Sequence, residues 1–251
     1  MNGSSANRSL TVAARKDIEL ACHVGKTGAA VPHERIREQI GTSVEGRAIE
    51  LFSFSCGRHP VLILAGMHGD EPKGVALAQR LIEGLAAEPS DCAAVVVPIV
   101  NPDGYQVRRR RNAAGVDINR NFPTADWVTG PRRSRFYPGP KPASEPETRA
   151  IMALVEHGAP AGIVAIHSIS RHRFCNNYDG PGRGLAMTLA KCNGYPIRSS
   201  IGYATPGSFG TWAGRERGLP TVTLELASHH STRRCWADNR DALLAICRKP
   251  A

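Results

Sequence analysis

Val61-Leu62-Ile63-Leu64-Ala65-Gly66 runs directly into Met67-His68-Gly69-Asp70-Glu71. The first six residues are aliphatic and partly β-branched, the composition of a short buried strand closed by a glycine. The following turn places a histidine and a glutamate three residues apart. In open α/β sheets functional groups collect at the carboxyl ends of strands, so this stretch proposes an architecture and a site together. Imidazole nitrogen and carboxylate oxygen are ordinary zinc ligands, and His68 and Glu71 can point at one ion. Taken alone the pair is a weak signal, because a lone histidine is more often a hydrogen-bonded surface group.

Outward from this stretch the chain repeats the same texture. Ala48-Ile49-Glu50-Leu51-Phe52 partly alternates, as a half-buried strand does, and residues 93–100 (AAVVVPIV), 162–167 (GIVAIH) and 221–226 (TVTLEL) are further short apolar runs. Helical spacing lies between them. Residues 74–85 put Val75, Leu77, Ala78, Leu81, Ile82 and Leu85 on one stripe. Residues 144–158 open with Ser144 as an expected N-cap, carry Pro146 in the first turn and end at Gly158. Residues 184–194 and 238–249 complete the helices. Strands alternating with helices predict an α/β domain whose sheet is covered on both faces. Residues 1–40 are polar, without a clear period, and read as an N-terminal arm or peripheral element; residues 41–251 read as one domain.

Composition narrows the function classes. The 251 residues are 41% hydrophobic and 22% charged, enough for a sizeable core. No apolar run approaches the roughly 18 residues of a membrane helix, and the first residues lack the apolar stretch of a secretory signal. Seven cysteines at scattered positions contain no Cys-x-x-Cys pair, which argues against a zinc ribbon or a disulfide framework and for a reducing cytoplasm. Cys92, Cys192 and Cys247 read as small core hydrophobes or idle thiols. The net charge of +10 predicts anionic partners, and Arg108-Arg109-Arg110-Arg111 is its sharpest cluster. Such a run is usually a solvated face, and an aromatic content of 6% offers little for base stacking.

Two more strands end in chemistry. GIVAIH closes on His167, by itself most simply a satisfied core imidazole. TVTLEL carries Glu225 inside an apolar run, where an ionised carboxylate is costly unless paired or functional. Two histidines and Glu71 make a three-ligand zinc site with a position open for water, and Glu225 is then a base for that water. Asn101-Pro102-Asp103-Gly104 is a turn signal, and Asp117, Asn119, Arg120 and Asn121 follow it; an arginine beside asparagine suits a carboxylate. Asn101 and Asn121 themselves read as loop-holding Asx residues.

Residues 66–71 (GMHGDE), 101–104 (NPDG), 116–123 (VDINRNFP), 144–148 (SEPET), His167-Ser168 and Thr223-Leu224-Glu225 occur in the order that resembles the zinc carboxypeptidase superfamily. Residues 202–210 (GYATPGSFG) look very like the corresponding segment of its bacterial murein peptide amidases. The resemblance runs from about Gly41 to the C-terminal helix. It implies a mixed, mostly eight-stranded twisted sheet flanked by helices. It implies one Zn2+ per chain held by His68, Glu71 and His167, with Glu225 as general base. Asn119 and Arg120 match the pair that grips the substrate carboxylate, and Asp117 matches a carboxylate that orients the first histidine. Arg110 matches the oxyanion-stabilising arginine, with Arg109 and Arg111 as alternative registers. Tyr203 matches a mobile tyrosine, and Phe209 falls in the stretch that shapes the side-chain pocket.

The implied reaction is cleavage of the γ-D-glutamyl–meso-diaminopimelate amide of murein peptides during peptidoglycan recycling in the cytoplasm. The partner is then a small acidic peptide, with no nucleic acid or membrane expected. A zinc carboxypeptidase or acyl-amino-acid deacylase with another substrate is the alternative, and a non-catalytic basic nucleic-acid-binding protein is the distant one. Residues 168–179 and 227–230 depart from the amidase pattern. Asp179 can pair with a diaminopimelate ammonium or serve as a turn residue before Gly180, and His229 and His230 read as solvated loop histidines.

Overall fold

The computed structural model describes residues 36–55, 59–87, 92–170 and 173–248. In chain order the elements are β1 (Ile36–Thr42), β2 (Ala48–Ser55), β3 (Val61–Leu64), α1 (Pro72–Ala87), β4 (Ala93–Val97), α2 (Pro102–Gln106), α3 (Pro146–Gly158), β5 (Gly162–Ile169), β6 (Cys175–Asp179), α4 (Arg183–Asn193), β7 (Ile197–Arg198), β8 (Thr221–Ala227) and α5 (Thr232–Cys247). The eight strands form one mixed sheet in the order β1-β2-β4-β3-β5-β8-β6-β7. The centre, β4-β3-β5-β8, is parallel, and the antiparallel pairs lie outside it. The α/β reading and the mixed eight-stranded sheet both hold.

Period-two alternation splits the strands between two cores. Ile63, Val164, Ile166, Val222, Leu224 and Leu226 face one side, under α1, α4 and α5. Leu62, Leu64, Ile163 and Ala165 face the other, under α3 and the segments around Phe122 and Trp212. Every residue of the stripe expected on α1 is buried. Because Leu224 and Leu226 belong to the first face, Glu225 between them belongs to the second. The apparent apolar run of β8 is thus a two-sided strand, and its carboxylate is not embedded among its own leucines.

Three boundaries move. The expected division at Gly41 falls inside β1, which among the described residues pairs only with β2; residues 1–35 lie outside the described residues. The expected cap Ser144 does not cap α3. Pro146 holds Glu145 extended and makes it the first flanking residue, while the Ser144 hydroxyl donates to the Glu145 carboxylate at 2.6 Å. Helix α5 starts at Thr232, with Ser231 accepting from the Arg234 amide. The described free cysteines include Cys92 and Cys247, both buried, and Cys192, which is exposed; Cys22 and Cys56 lie outside the described residues. Among the described residues no helix is long and apolar enough to cross a membrane.

The turn after β3 is held by close backbone packing. A side chain at Gly69 would overlap the backbone of Gly104 at α2, so the two chain segments touch without intervening atoms. Asn101 is fully buried between them: its Oδ1 accepts from the Gly104 amide at 2.8 Å, and its Nδ2 donates to the carbonyls of Met67 and Arg110. Asn101 makes the local turn contact expected of it, but Asn121 does not: both are buried rather than on a surface loop, and the Asn121 Nδ2 bonds the distant Pro138 and Lys141 carbonyls. Asn101→Ala strands three such groups and should cost about 1–3 kcal/mol. Urea unfolding checks this, and an unchanged midpoint would remove Asn101 from the frame of the turn.

Candidate active site

The parallel strands β3 and β5 are neighbours, so their carboxyl ends bring the turn at 66–71 beside His167. His68 Nδ1 lies 2.8 Å from Glu71 Oε1, and His167 Nδ1 lies 3.1 Å from both His68 Nδ1 and Glu71 Oε2. The Ser168 amide donates to Glu71 Oε2 at 3.0 Å, fixing that carboxylate. One donor atom from each of the three residues falls within 4.8 Å of the others.

The outer contacts decide how these donors point. Asp117, fully buried, accepts from His68 Nε2 at 3.1 Å, which turns the Nδ1 lone pair toward Glu71 and His167. The same carboxylate accepts from Arg110 Nε at 2.9 Å and from the Asn119 amide at 3.1 Å. Two nitrogens and a carboxylate converging on one point, with the first histidine oriented from behind, fit a divalent ion of the zinc type.

Electrostatics follow from this crowding. Burial opposes ionisation of Glu71, but His68 and His167 outweigh it and hold the carboxylate well below its usual range. Burial likewise opposes protonation of His68, yet Glu71 and Asp117 raise its pKa. His167 is lowered, chiefly by burial. Asp117 is held far below the usual carboxylate range: burial works against ionisation, and His68 and Arg110 prevail.

Glu225 is the direct register partner of His167 on β5 and of Cys175 on β6. It is 6% exposed, and burial, then the charge of Glu71, push its pKa up to about 8. The expected base therefore stands beside the expected ligands, in a position that favours its protonated form.

The four-arginine run resolves into separate contacts. Arg108 stacks over Tyr105, Arg111 donates to the carbonyls of Arg132 and Ser134, and Arg110 turns inward to Asp117, with an Nη 3.7 Å from Glu71. Of the three alternative registers, Arg110 is the one at the site. The Phe136 ring lies between Arg110 and Arg120, 5.2 and 5.3 Å from their guanidinium carbons. Asn119 and Arg120 sit on the 3-10 turn Ile118–Arg120 that Asp117 starts. Asn119 Oδ1 accepts from the Phe209 amide, and Arg120 lines a cleft with Phe136 and Tyr203.

Tyr203 is 48% exposed at the junction of that cleft and a second pocket lined by Asn119, Asn177, Asp179, Arg215, Thr223 and Glu225. Phe209 differs from expectation. Its ring is buried against Phe122 and Trp212 in the second core, and its neighbours Ser208 and Gly210 line the pocket instead. The chain winds into a helical turn from Phe209, and its large apolar side chain is the one turned inward. His229 and His230 meet edge to face, and His230 faces Asp238 rather than the ligand cluster. Phe136, Asn177 and Arg215 went unseen in the sequence, since each reaches the site from a segment without a motif.

The sign of the Glu225 shift is testable in metal-stripped protein. The folded chain binds this proton more tightly than the unfolded chain, so the fold is penalised as pH rises above 4.5, fully so beyond about 8. Glu225→Gln should raise Tm by several degrees at about pH 9 and leave it unchanged below about pH 4. Equal melting differences at both pH values would contradict the buried, proton-retaining carboxyl.

The zinc carboxypeptidase family model matches residues 29–180. The chain is 37% identical over 200 residues to murein peptide amidase A of Escherichia coli K12, covering 75% of this chain and 80% of that protein. The solved murein-tripeptide amidase of Escherichia coli O157 is similar with a TM-score of 0.73 and 32% identity, covering 89% of this chain and 95% of that one. Carboxypeptidase A of Helicoverpa armigera shares the fold, with a TM-score of 0.71 at 20% identity over 86% of this chain and 68% of that one.

Proposed function

Because the chain belongs to the zinc carboxypeptidase family, we propose that it is a murein peptide amidase hydrolysing the γ-D-glutamyl–meso-diaminopimelate amide. The observation that carries this reading is the similarity to murein peptide amidase A over four-fifths of that protein, joined to the convergence of His68, Glu71 and His167. In this reading His68 Nδ1, Glu71 and His167 Nδ1 hold one zinc ion per chain. When bound, zinc supplies Lewis-acid activation of water and polarisation of the scissile carbonyl.

The chain's own residues do the rest. Glu225 takes a proton from the attacking water and delivers it to the leaving amine. Arg110, anchored by Asp117, offers its remaining N–H groups to the oxyanion, and losing one such donor typically costs on the order of 100-fold in rate. Arg120 and Asn119 grip the carboxylate of the leaving residue, which restricts cleavage to the chain end. Tyr203, half exposed over both pockets, closes on bound substrate. An acidic peptide agrees with the net charge of +10. The free thiols Cys92, Cys175, Cys235 and Cys247 agree with a cytoplasmic setting, where cell-wall peptides are recycled.

Purified protein should release free meso-diaminopimelate from L-Ala-γ-D-Glu-meso-diaminopimelate. The release should stop with chelator, return with zinc, and be absent in Glu225→Ala. Cleavage only of ordinary C-terminal peptides or N-acyl amino acids would keep the hydrolase and replace the substrate. Arg120→Ala should raise KM and lower kcat/KM about 10- to 100-fold, as expected for loss of a charge-assisted carboxylate contact. Unchanged kinetics in that variant would sink its role.

A further inference from the structure

Residues 133–136 form a ridge with two faces. Ser134 and Phe136 line the cleft of Arg120, while Arg133 and Arg135 turn to the other side. There they meet Arg108, Arg109 and Arg111 around a basin of about 520 Å³. The basin shares no lining residue with the clefts at Arg120 and Glu225, and it meets the reacting centre through Arg110 and Asp70.

The chain gathers these like charges and holds them. The Arg111 guanidinium donates to the carbonyls of Arg132 and Ser134 at 2.9 and 3.2 Å, which ties the two arginine-bearing segments to each other. Carbonyls fix that group without cancelling its charge. A side chain at Gly104 would crowd the carbonyls of Arg109 and Arg111, so the run lies directly on α2. Arg108 keeps a left-handed backbone with φ 53°, and its guanidinium stacks over Tyr105. The one carboxylate lining the basin is Asp70, 3.8 Å from Arg135 in an exposed and therefore weak contact. Arg109 and Arg133 make no side-chain hydrogen bond or ion pair among the described residues. A solvated charged face lets its side chains spread apart. Here a hydrogen-bonded tie draws them in from two segments, and an anion relieves the repulsion this creates.

Charge and shape select the anion. A single carboxylate occupies one guanidinium fork, whereas five forks facing one acid suit a group with more charge and more acceptor oxygens. Phosphate esters carry both, and the basin has the size of a small-molecule site, about 300–1,000 Å³. We propose that this basin binds a phosphate or diphosphate group, gripped by Arg109 and Arg133 with Arg108 and Arg135 beside them. The group arrives either attached to the acyl portion of the peptide substrate or as a free nucleotide or sugar phosphate. This site goes beyond the hydrolase reading, and binding to it does not depend on that reading.

Calorimetry on the zinc-loaded full chain tests the site, with ADP as the probe and adenosine as the control that lacks the diphosphate. ADP should bind at one site and adenosine should not. Raising the salt from about 50 to about 200 mM should weaken ADP at least about threefold. Arg109→Ser combined with Arg133→Ser should weaken it at least about tenfold. Both arginines are exposed, so this variant should keep kcat/KM on L-Ala-γ-D-Glu-meso-diaminopimelate within about twofold of the wild type. ADP that binds both proteins equally sits on the metal or elsewhere and overturns the site. Binding of a single-stranded oligonucleotide without any binding of ADP overturns it too, and marks the face as a nucleic-acid surface.

Two kinetic arms then separate the sources. A phosphate carried by the substrate predicts that the tripeptide extended at its N-terminus by O-phosphoserine is cleaved about tenfold better than its serine counterpart, in the wild type alone. A free phosphate compound predicts that ADP changes the rate on the unextended tripeptide, again in the wild type alone. No effect in either arm, with ADP binding lost in the variant, upholds the site and detaches it from the reaction. Where no tripeptide is cleaved, the hydrolase reading fails and the ADP titration still decides the site.

Discussion

The carboxylate of Asp117 is the constraint on which the site is built. It is completely buried and accepts hydrogen bonds from His68, from Arg110 and from the amide of Asn119. A buried carboxylate without partners is costly, and three donors convert that liability into a fixed point. Each donor leads to a different task. His68 faces the proposed ion, Arg110 the proposed oxyanion, and Asn119 begins the turn that carries Arg120. The relative placement of these three groups is therefore one arrangement rather than three, and a shift at any of them is transmitted to the others through a single side chain.

Much of this was legible in the sequence. The strong strands and the helices follow from apolar periodicity, and the α1 stripe was correct at every position. His68 and Glu71 were legible because they are near neighbours on a turn; His167 and Glu225 became legible only as members of an ordered set. Strand β6 was not. In Cys-Asn-Asn-Tyr-Asp the residues facing the pocket are polar, so the usual inward apolar alternation disappears where the strand is functional. Strand β1 hid for another reason: it is an exposed edge, and most of its side chains carry no burial signal. Phe209 misled in the opposite direction, since a motif fixes the course of the backbone and not which of its side chains turns inward.

The arginine run shows how little a linear charge cluster says. Its members meet an aromatic ring, a pair of carbonyls and a carboxylate, and only one reaches the site. Arg110 and Arg120 then form a like-charged pair whose repulsion contributes to lowering Arg120, after burial itself. Phe136 lies between them, and its ring faces offer both guanidinium groups a partially compensating negative potential. Two cations thus stay near one anionic substrate, Arg110 held by Asp117 and both reaching the same aromatic ring.

The pairing of β6 with β8 has a consequence for how such an enzyme diversifies. Glu225 occupies one rung of the ladder, and Asn177 and Asp179 occupy positions two and four residues away from the rung that faces it. Because the strand advances in fixed steps, those positions work as marks on a ruler read from the chemistry outward. Exchanging the residue at one mark changes the shape and charge of the pocket wall, while the sheet hydrogen bonds that hold Glu225 are made by the backbone and stay as they are. Substrate range and bond cleavage can then be selected separately, one strand position at a time.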